Sequence, residues 1–309
     1  MKISKKINIK QLLVLVVCCF CSIAVKAQTE TDAIMMDKND LCLGGIFAYS
    51  KWTNYWEGSL KRQNLNIGSV SSRQYHLMGT YGLSNKVNLL FNVPYITTKS
   101  SAGTLSGLKG FQDVSLAIKW DAYNKKVGKG NFNVLLGAGF STPLSNYVAD
   151  FQPLSIGMGS TNLNGRLTLD YSVNKFYATL SNAYIRRSNI EIDRTTYFID
   201  RQIQSNQVAM PDMMQFNFGT GYRYNGTIVE ISVSNMTSLS GFDIRRNDMP
   251  FPSNRMNATM VGGYVRYNLV SQLILVGGAN YVVAGRNFGQ NALVHAGLFY
   301  VITLKKSKN

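Results

Sequence analysis

The chain has 309 residues and a formal charge of +16, and 45% of its residues are hydrophobic while only 16% are charged. So many apolar and aromatic residues exclude an intrinsically disordered chain. The sequence also lacks the repeated apolar runs of about 20 residues that a polytopic helical membrane protein needs. What remains is a moderately hydrophobic chain that is poor in charge and rich in Gly, Tyr and Phe.

Residues 1–27 have the organisation of a secretory signal peptide. Lysines form a positively charged n-region, residues 12–25 form an apolar core, and Val25 and Ala27 provide the small residues of a cleavage site after Ala27. The alternative is an uncleaved transmembrane anchor, for which the apolar run is short. Cleavage removes five lysines and no acidic residue, so the formal charge falls from +16 to +11. It leaves Cys42 as the only cysteine, which cannot form an internal disulfide.

From residue 41 onwards the chain alternates between apolar and polar residues. In DVSLAIKWD, residues 113–121, the even-numbered positions are apolar and most odd-numbered positions are polar, as in a strand with one oily face. A tilted strand needs roughly 9–11 residues to cross a bilayer, whereas soluble strands are usually about 5–6 residues long. The pattern predicts twelve long strands: 41–52, 73–82, 87–97, 113–123, 131–141, 161–171, 175–186, 213–224, 227–237, 255–268, 272–283 and 291–304.

Short and long links alternate between these predicted strands. The short links are 84–86, 172–174, the hairpin dipeptide Asn225-Gly226 and residues near 270–271, with a longer basic link at 124–130. Outer-membrane barrels have short periplasmic turns, long extracellular loops and an even number of strands. We therefore predict an all-β protein, an antiparallel transmembrane up-and-down β-barrel of about twelve strands at 41–304, in the outer membrane of a Gram-negative bacterium. The alternative is a large soluble β-sandwich or barrel.

Two motifs of the first hairpins are similar to those of a known protein family. The stretch 81–89, YGLSNKVNL, precedes Val93-Pro94-Tyr95, and the stretch 107–114, GLKGFQDV, precedes residues 117–120. Together they resemble a family of outer-membrane barrels associated with the degradation of aromatic compounds, the MetA-pathway-of-phenol-degradation family. That family is loosely similar to the long-chain fatty-acid channels.

The resemblance covers about 40 residues and implies an outer-membrane passage for small molecules, hydrophobic ones among them. The chain departs from the family pattern at Gln112, where a small residue often precedes the Asp. Its basic C-terminal tail, 305–309, also lacks the terminal Phe that is common in outer-membrane barrels.

Charged residues within the predicted strands are expected to face the lumen. An Arg or Lys on the lipid face near the midplane costs roughly 2–4 kcal/mol. Two interpretations are open, a selectivity lining of the pore or an ion-paired network that fills a narrow barrel. The candidate pore-lining residues are Asp113, Lys119, Arg166, Asp170, Arg223, Glu230 and His295.

Pro94 is a candidate irregularity of the barrel wall. Proline cannot donate a hydrogen bond to a β-ladder, so within a strand it favours a bulge or an unpaired site. The alternative is that Pro94 lies where its strand leaves the membrane.

Residues 28–40, QTETDAIMMDKND, lie before the first predicted strand. The segment contains Ile34, Met35 and Met36 between acidic residues, and we hypothesise that it folds into the lumen as a plug. The alternative is a flexible periplasmic tail, because chain termini often fray.

Enzymatic activity is not expected. His76 and His295 are the only histidines, and Ser115, Ser141 and Ser181 occur in no recognisable nucleophile motif, although a lipid-directed barrel enzyme would need such a pair. No His, Cys and carboxylate spacing fits a metal site, and no cofactor is predicted.

The positive charge is attributed to contact with outer-membrane lipid and lipopolysaccharide phosphate, or to solvated loops, rather than to nucleic acid. The basic residues lie in small clusters such as Lys125-Lys126 and Arg245-Arg246, with no continuous stripe. We predict a passive channel for a small-molecule solute, hydrophobic or aromatic. The alternative is a non-transporting barrel that anchors or joins a periplasmic or secretion assembly through a periplasmic protein partner.

Overall fold

Twelve antiparallel strands of 12–15 residues dominate the computed structural model, which describes residues 29–245 and 248–304. The predicted signal peptide and the tail 305–309 lie outside the described residues. Within the described ranges, no helix is long and apolar enough to cross a membrane. The strands are β1 (Asp40–Trp52), β2 (Val70–Ser84), β3 (Val87–Ser100), β4 (Asp113–Val127), β5 (Gly130–Pro143), β6 (Asn162–Val173), β7 (Phe176–Arg187), β8 (Met213–Tyr224), β9 (Thr227–Ser238), β10 (Asn257–Val270), β11 (Leu273–Arg286) and β12 (Ala292–Thr303).

The sheet closes on itself. Each strand pairs with its neighbours in sequence, and β1 also pairs with β12, from Asp40↔Thr303 to Lys51↔Ala292. A closed barrel leaves no strand edge, which is the condition for a sheet to exist in hydrocarbon. The predicted twelve-stranded antiparallel barrel is therefore confirmed, with strand bounds within a few residues of those expected.

The short links all lie at one end of the barrel, which is named the periplasmic end because outer-membrane barrels have their short turns there. The opposite end, which has the long links, is named the extracellular end. Asn225 and Gly226 have φ values of 48° and 76°, the left-handed backbone of the tight hairpin turn that this dipeptide favours. The longer link expected at 124–130 is wrong, because β4 continues to Val127 and only two residues separate it from β5. The polar residues at 124–126 pair with β5 beyond the lipid-facing apolar residues. They are exposed to water there, so their polar side chains carry no desolvation cost.

The two faces of the wall have opposite chemistry. On β4, Leu116, Ile118 and Trp120 are 56%, 41% and 47% exposed, whereas Lys119 between them is 3% exposed. The apolar residues therefore face outwards and the charged residue faces the lumen, as a lipid-exposed barrel requires.

The long links at the other end contain structure of their own. The strand Asn54–Glu57 pairs with Leu60–Gln63, and two further short hairpins lie within 190–208. Links 144–161, 188–212 and 239–256 share a small apolar core around Ala149, Ile190 and Val208. Sequence alternation did not predict these elements, because contacts between distant loops create them.

The lipid-facing assignment can be tested on β9. Ile231 is 68% exposed near the middle of the strand, and we expect Ile231→Arg to lower the free energy of unfolding by about 2–4 kcal/mol. Leu239 is 51% exposed just beyond the extracellular end of β9, so Leu239→Arg, the matched control, is expected to cost at most about 1 kcal/mol. Denaturant titration of protein folded into phospholipid vesicles measures both, and equal losses would contradict the assignment.

Candidate functional site

The N-terminal segment lies inside the barrel and is held there by Lys119. The Lys119 ammonium donates to the Thr29 carbonyl at 2.8 Å and to the Asp32 carboxylate and carbonyl at 3.0 and 3.2 Å. A buried ammonium costs several kcal/mol unless it is paired and hydrogen-bonded. The segment therefore supplies the partners that Lys119 lacks on its own strand.

A second cation, two strands along the same wall from Lys119, also meets the segment. Arg166 of β6 is 9% exposed, and its guanidinium lies 3.8 Å from the Glu30 carboxylate. The same group donates to Ser181 and Gln215, each at 3.2 Å. Two acidic residues of the segment thus face two lumen cations.

The lower part of the segment is apolar and closes towards the periplasmic end. Ile34 is buried against Tyr177 and Ile228, and Met36 is buried in a separate cluster with Cys42, Ile274 and other residues of β1, β11 and β12. Met35 between them is half-buried and borders the periplasmic end of the lumen.

Backbone hydrogen bonds hold the end of the segment against the barrel rim. The Asn39 amide donates to the Gly82 carbonyl at 2.8 Å, and the Lys38 amide donates to the Asn85 side chain at 3.1 Å. A Cβ atom at Gly82 would lie 2.0 Å from the Asp37 carbonyl oxygen, so the close approach of the segment requires glycine there. Gly82 belongs to the YGLSNK motif of the sequence.

A polar network runs along the lumen face of the neighbouring strands β6, β7, β8 and β9. Asp170, 1% exposed, accepts from Thr179 at 2.6 Å and lies 3.5 Å from the Arg223 guanidinium. Arg223 stacks over the Tyr177 ring at 4.0 Å, and the Tyr177 hydroxyl donates to Glu230 at 2.6 Å. Three predicted pore-lining residues are therefore connected through Tyr177, which sequence reasoning missed. No feature of the sequence singles out Tyr177, because its partners Arg223 and Glu230 lie far from it along the chain.

A cavity of about 370 Å³ lies in the lumen above Ile34. Arg223, Glu230 and His295 border it, together with Asp32 of the N-terminal segment. Its apolar lining includes Ile34, Ile46, Met78, Met260, Tyr264, Val276 and Phe299. This volume and mixed lining fall within the range of small-molecule sites.

A second cavity of about 550 Å³ opens at the periplasmic end beneath the segment. Ile34, Arg223 and Ile228 border both cavities, so these side chains form the partition between them. The remaining lining of the periplasmic cavity is largely polar and includes Asn85, Asn225 and Arg266.

The two histidines and the candidate serines make separate contacts. His76 hydrogen-bonds to Asn92 at 3.0 Å, while His295 stacks on Tyr264 with ring centroids 6.4 Å apart. Ser181 accepts from Arg166 and Ser141 accepts from Asn162. In the part of the chain that the structure describes, no serine–histidine hydrogen bond occurs and no group of three His, Cys, Asp or Glu residues could hold a metal ion.

Asp113 stands apart from the other predicted pore-lining residues. It lies at the extracellular end of β4 and accepts a hydrogen bond from the Tyr147 hydroxyl of the loop that follows β5. Burial and this hydrogen bond raise the pKa of the Tyr147 phenol, so the hydroxyl keeps its proton and remains a donor. Asp113 therefore fixes the loop 144–161 rather than bordering the central cavity.

Pro94 lies within β3, which continues for six residues beyond it. Below Pro94, β3 pairs with β4 up to Asn92↔Ser115, and above it β3 pairs with the short strand Lys109–Phe111 from Tyr95↔Phe111. The register changes by one residue across this point, and the Pro94 carbonyl accepts from the Gln112 amide at 3.0 Å. The only predicted mid-strand proline thus coincides with a break in the β3–β4 ladder.

Comparison with known proteins shows what fold this chain shares with solved structures. No protein-family model matches the chain, and no curated protein matches it. Among solved structures, the chain is similar to an outer membrane channel from Pseudomonas putida F1, with a TM-score of 0.71 and 13% identity over 90% of this chain and 100% of that one. At this identity the likeness is one of fold, and it confirms the closed antiparallel β-barrel that the sequence resemblance implied.

Two further solved barrels are similar at lower scores. The transport unit of the autotransporter AIDA-I from Escherichia coli has a TM-score of 0.46 and 10% identity over 93% of this chain and 97% of that one. A mutant of the monoaromatic hydrocarbon channel TodX has a TM-score of 0.42 and 11% identity over 87% and 91%.

If Lys119 anchors the N-terminal segment, its loss should make residues 29–32 more accessible to solvent. Lys119→Met removes the donor to Thr29 and the counter-ion of Asp32, so residues 29–32 are expected to leave the β4 wall. The measurement is the maleimide labelling rate of Thr31→Cys in a Cys42→Ser background, which should rise towards that of Lys129→Cys in the exposed β4–β5 turn. Lys125→Met, a change of an exposed lysine on the same strand, is the control and should leave the rate unchanged. Slow labelling in both variants would refute the anchor.

Proposed function

We propose that the protein is an outer-membrane channel for the passive uptake of small hydrophobic or aromatic molecules. The central cavity carries this proposal, because its volume of about 370 Å³ suits a small molecule and apolar side chains make up much of its lining. A pore for hydrophilic solutes would be lined mainly by polar groups. Tyr264 and Phe299 offer aromatic contact to a flat ring.

The N-terminal segment is proposed to act as a plug within this channel. Ile34 borders both the central and the periplasmic cavities, so a solute that moves inwards meets it first. In this proposal Ile34 and Met36 form the apolar stop, and Met35 faces the periplasmic side. Asp32 and Glu30 hold the stop in place through Lys119 and Arg166.

The predicted pore-lining residues are proposed to divide into two groups. Arg223, Glu230 and His295 border the cavity and tune which solutes enter it. Lys119, Arg166 and Asp170 are almost fully buried and bind the plug or the wall, and Asp113 binds a loop. The break in the ladder at Pro94 is proposed as a locally weaker part of the wall, because proline leaves the ladder short of one donor.

The setting proposed for this channel follows from the same chain. The signal peptide is cleaved after Ala27, and the barrel lies among outer-membrane lipid and lipopolysaccharide with its short turns in the periplasm. No nucleic acid, cofactor or metal takes part, and no lipid hydrolysis is expected. The fold alone also suits a barrel that anchors a periplasmic protein.

Deletion of residues 28–38 tests the plug. Loss of the segment removes the partition at Ile34, so we expect single-channel conductance in planar bilayers to rise. The substitution Ile34→Gly, which keeps the ionic anchors, should give a smaller rise. Unchanged conductance after the deletion would contradict the plug.

Uptake of the hydrophobic fluorophore N-phenylnaphthylamine by intact cells tests the channel. Expression of the protein is expected to speed uptake, and Ser234→Trp should reduce the rate because the indole fills the central cavity. Val233→Trp is the matched control, since Val233 is 41% exposed on the lipid face and should not alter uptake.

The competing function gives a different outcome in the same experiments. Absence of both uptake and conductance, with a periplasmic protein that co-purifies in fixed proportion, would reject the channel in favour of an assembly subunit. Equal uptake by the Ser234→Trp and Val233→Trp variants would reject the central cavity as the route.

A further inference from the structure

The outer wall of β1, β2 and β3, together with the short strand Lys109–Phe111, carries a layered surface. Pairing across these strands aligns outward residues in successive rows. The row nearest the membrane centre contains four aromatic residues, which are paired through Phe47↔Tyr75, Tyr75↔Tyr95 and Tyr95↔Phe111. The Phe47 and Tyr75 rings have centroids 5.3 Å apart, as do the Tyr95 and Phe111 rings.

The next two rows towards the extracellular end carry the cations. Arg73 pairs with Thr97, and Thr97 pairs with Lys109. One row higher, Lys51 and Lys99 flank Ser71 on either side. All four cationic residues are exposed. Since strand residues advance about 3.4 Å each, the cations begin about 7 Å above the aromatic row.

This height identifies what surrounds the cations. Rings of Tyr and Phe on a barrel wall lie at the boundary between hydrocarbon and headgroups. Cations about 7 Å further out therefore lie at the level of the headgroups. The long loops are at this end of the barrel, so the surrounding leaflet is the outer one, in which lipid A carries phosphate groups on its sugars.

The four cations have no carboxylate partner in the ion pairs of residues 29–245 and 248–304. Arg186, which is exposed at the extracellular end of β7, differs in this respect. The Asp212 carboxylate lies close enough to interact with Arg186, and it accepts a hydrogen bond from the Tyr184 hydroxyl at 2.5 Å. The β1–β3 patch is thus a concentration of positive charge that the protein itself does not balance.

We propose that Lys51, Arg73, Lys99 and Lys109 form a binding site for the phosphate groups of lipid A. Arg73 offers a planar fork that matches a phosphate, and the three lysines offer point charges around it. The aromatic row beneath packs against the start of the acyl chains. The site rests on the proposed outer-membrane placement, and it is independent of whether the lumen conducts.

The test measures binding of purified full-length protein in phosphatidylcholine nanodiscs to bisphosphorylated lipid A. The variant Lys51→Gln/Arg73→Gln/Lys99→Gln/Lys109→Gln should bind at least about tenfold more weakly, because each cation near an anionic surface contributes roughly a fivefold factor. The control Lys125→Gln/Lys126→Gln alters two exposed lysines at the periplasmic end of β4 and should bind as the wild type does.

A change of ligand gives a second arm that needs no variant. Wild-type protein should bind dephosphorylated lipid A at least about tenfold more weakly than the bisphosphorylated form. Phosphatidylglycerol in place of lipid A should also bind more weakly, and inorganic phosphate should not compete at millimolar concentration.

Several results would overturn the proposal. Equal lipid A affinity of the four-site variant and the wild type would do so, as would equal affinity for the dephosphorylated ligand. Phosphatidylglycerol binding as tight as lipid A binding would show a general anionic-lipid surface instead. Loss of solute uptake with intact lipid A binding would reject only the channel, so the two proposals fail separately.

Discussion

A backbone that crosses hydrocarbon must satisfy every N–H and C=O group within itself, and this constraint governs the whole molecule. Twelve strands meet it by closing into a barrel through β1 and β12. Closure fixes two faces for every strand, one against lipid and one against the lumen. Charge is expelled from the outer face, so residues such as Lys119, Arg166 and Asp170 are concentrated in a narrow interior.

That concentration creates a second requirement, because buried charges need partners. Asp170 finds Thr179 and Arg223 on neighbouring strands. Lys119 and Arg166 find acidic partners in the N-terminal segment, through Asp32 and Glu30. The segment therefore contributes to lumen electrostatics as well as to its shape, and its acidic residues are as informative as its apolar ones.

The same division of faces explains how much the sequence could predict. Alternation between lipid and lumen is a local property, so all twelve strands and the turn at Asn225-Gly226 were predictable. The sequence predicts too long a β4–β5 turn, because the polar residues at 124–126 resemble a loop although they belong to a water-exposed part of the strand. The short loop strands and the role of Tyr177 depend on contacts between residues far apart in sequence, which periodicity does not record. Gly82 belongs to a sequence motif, but the need for glycine at this position comes from the Asp37 carbonyl, which lies against it only in the folded chain.

In the plug hypothesis Ile34 is the part that moves, and the segment is fixed to the barrel on either side of it. Above Ile34, the Lys119 ammonium holds Thr29 and Asp32 through charge-assisted hydrogen bonds. Below it, the Asn39 amide is bound to the rim at Gly82. Ile34 itself is buried among apolar side chains, and apolar contact is non-directional. An apolar solute that displaces Ile34 replaces its contacts with equivalent ones, whereas a hydrophilic solute offers no such replacement. Selectivity for apolar molecules would then arise from the partition itself, without any movement of the ionic anchors.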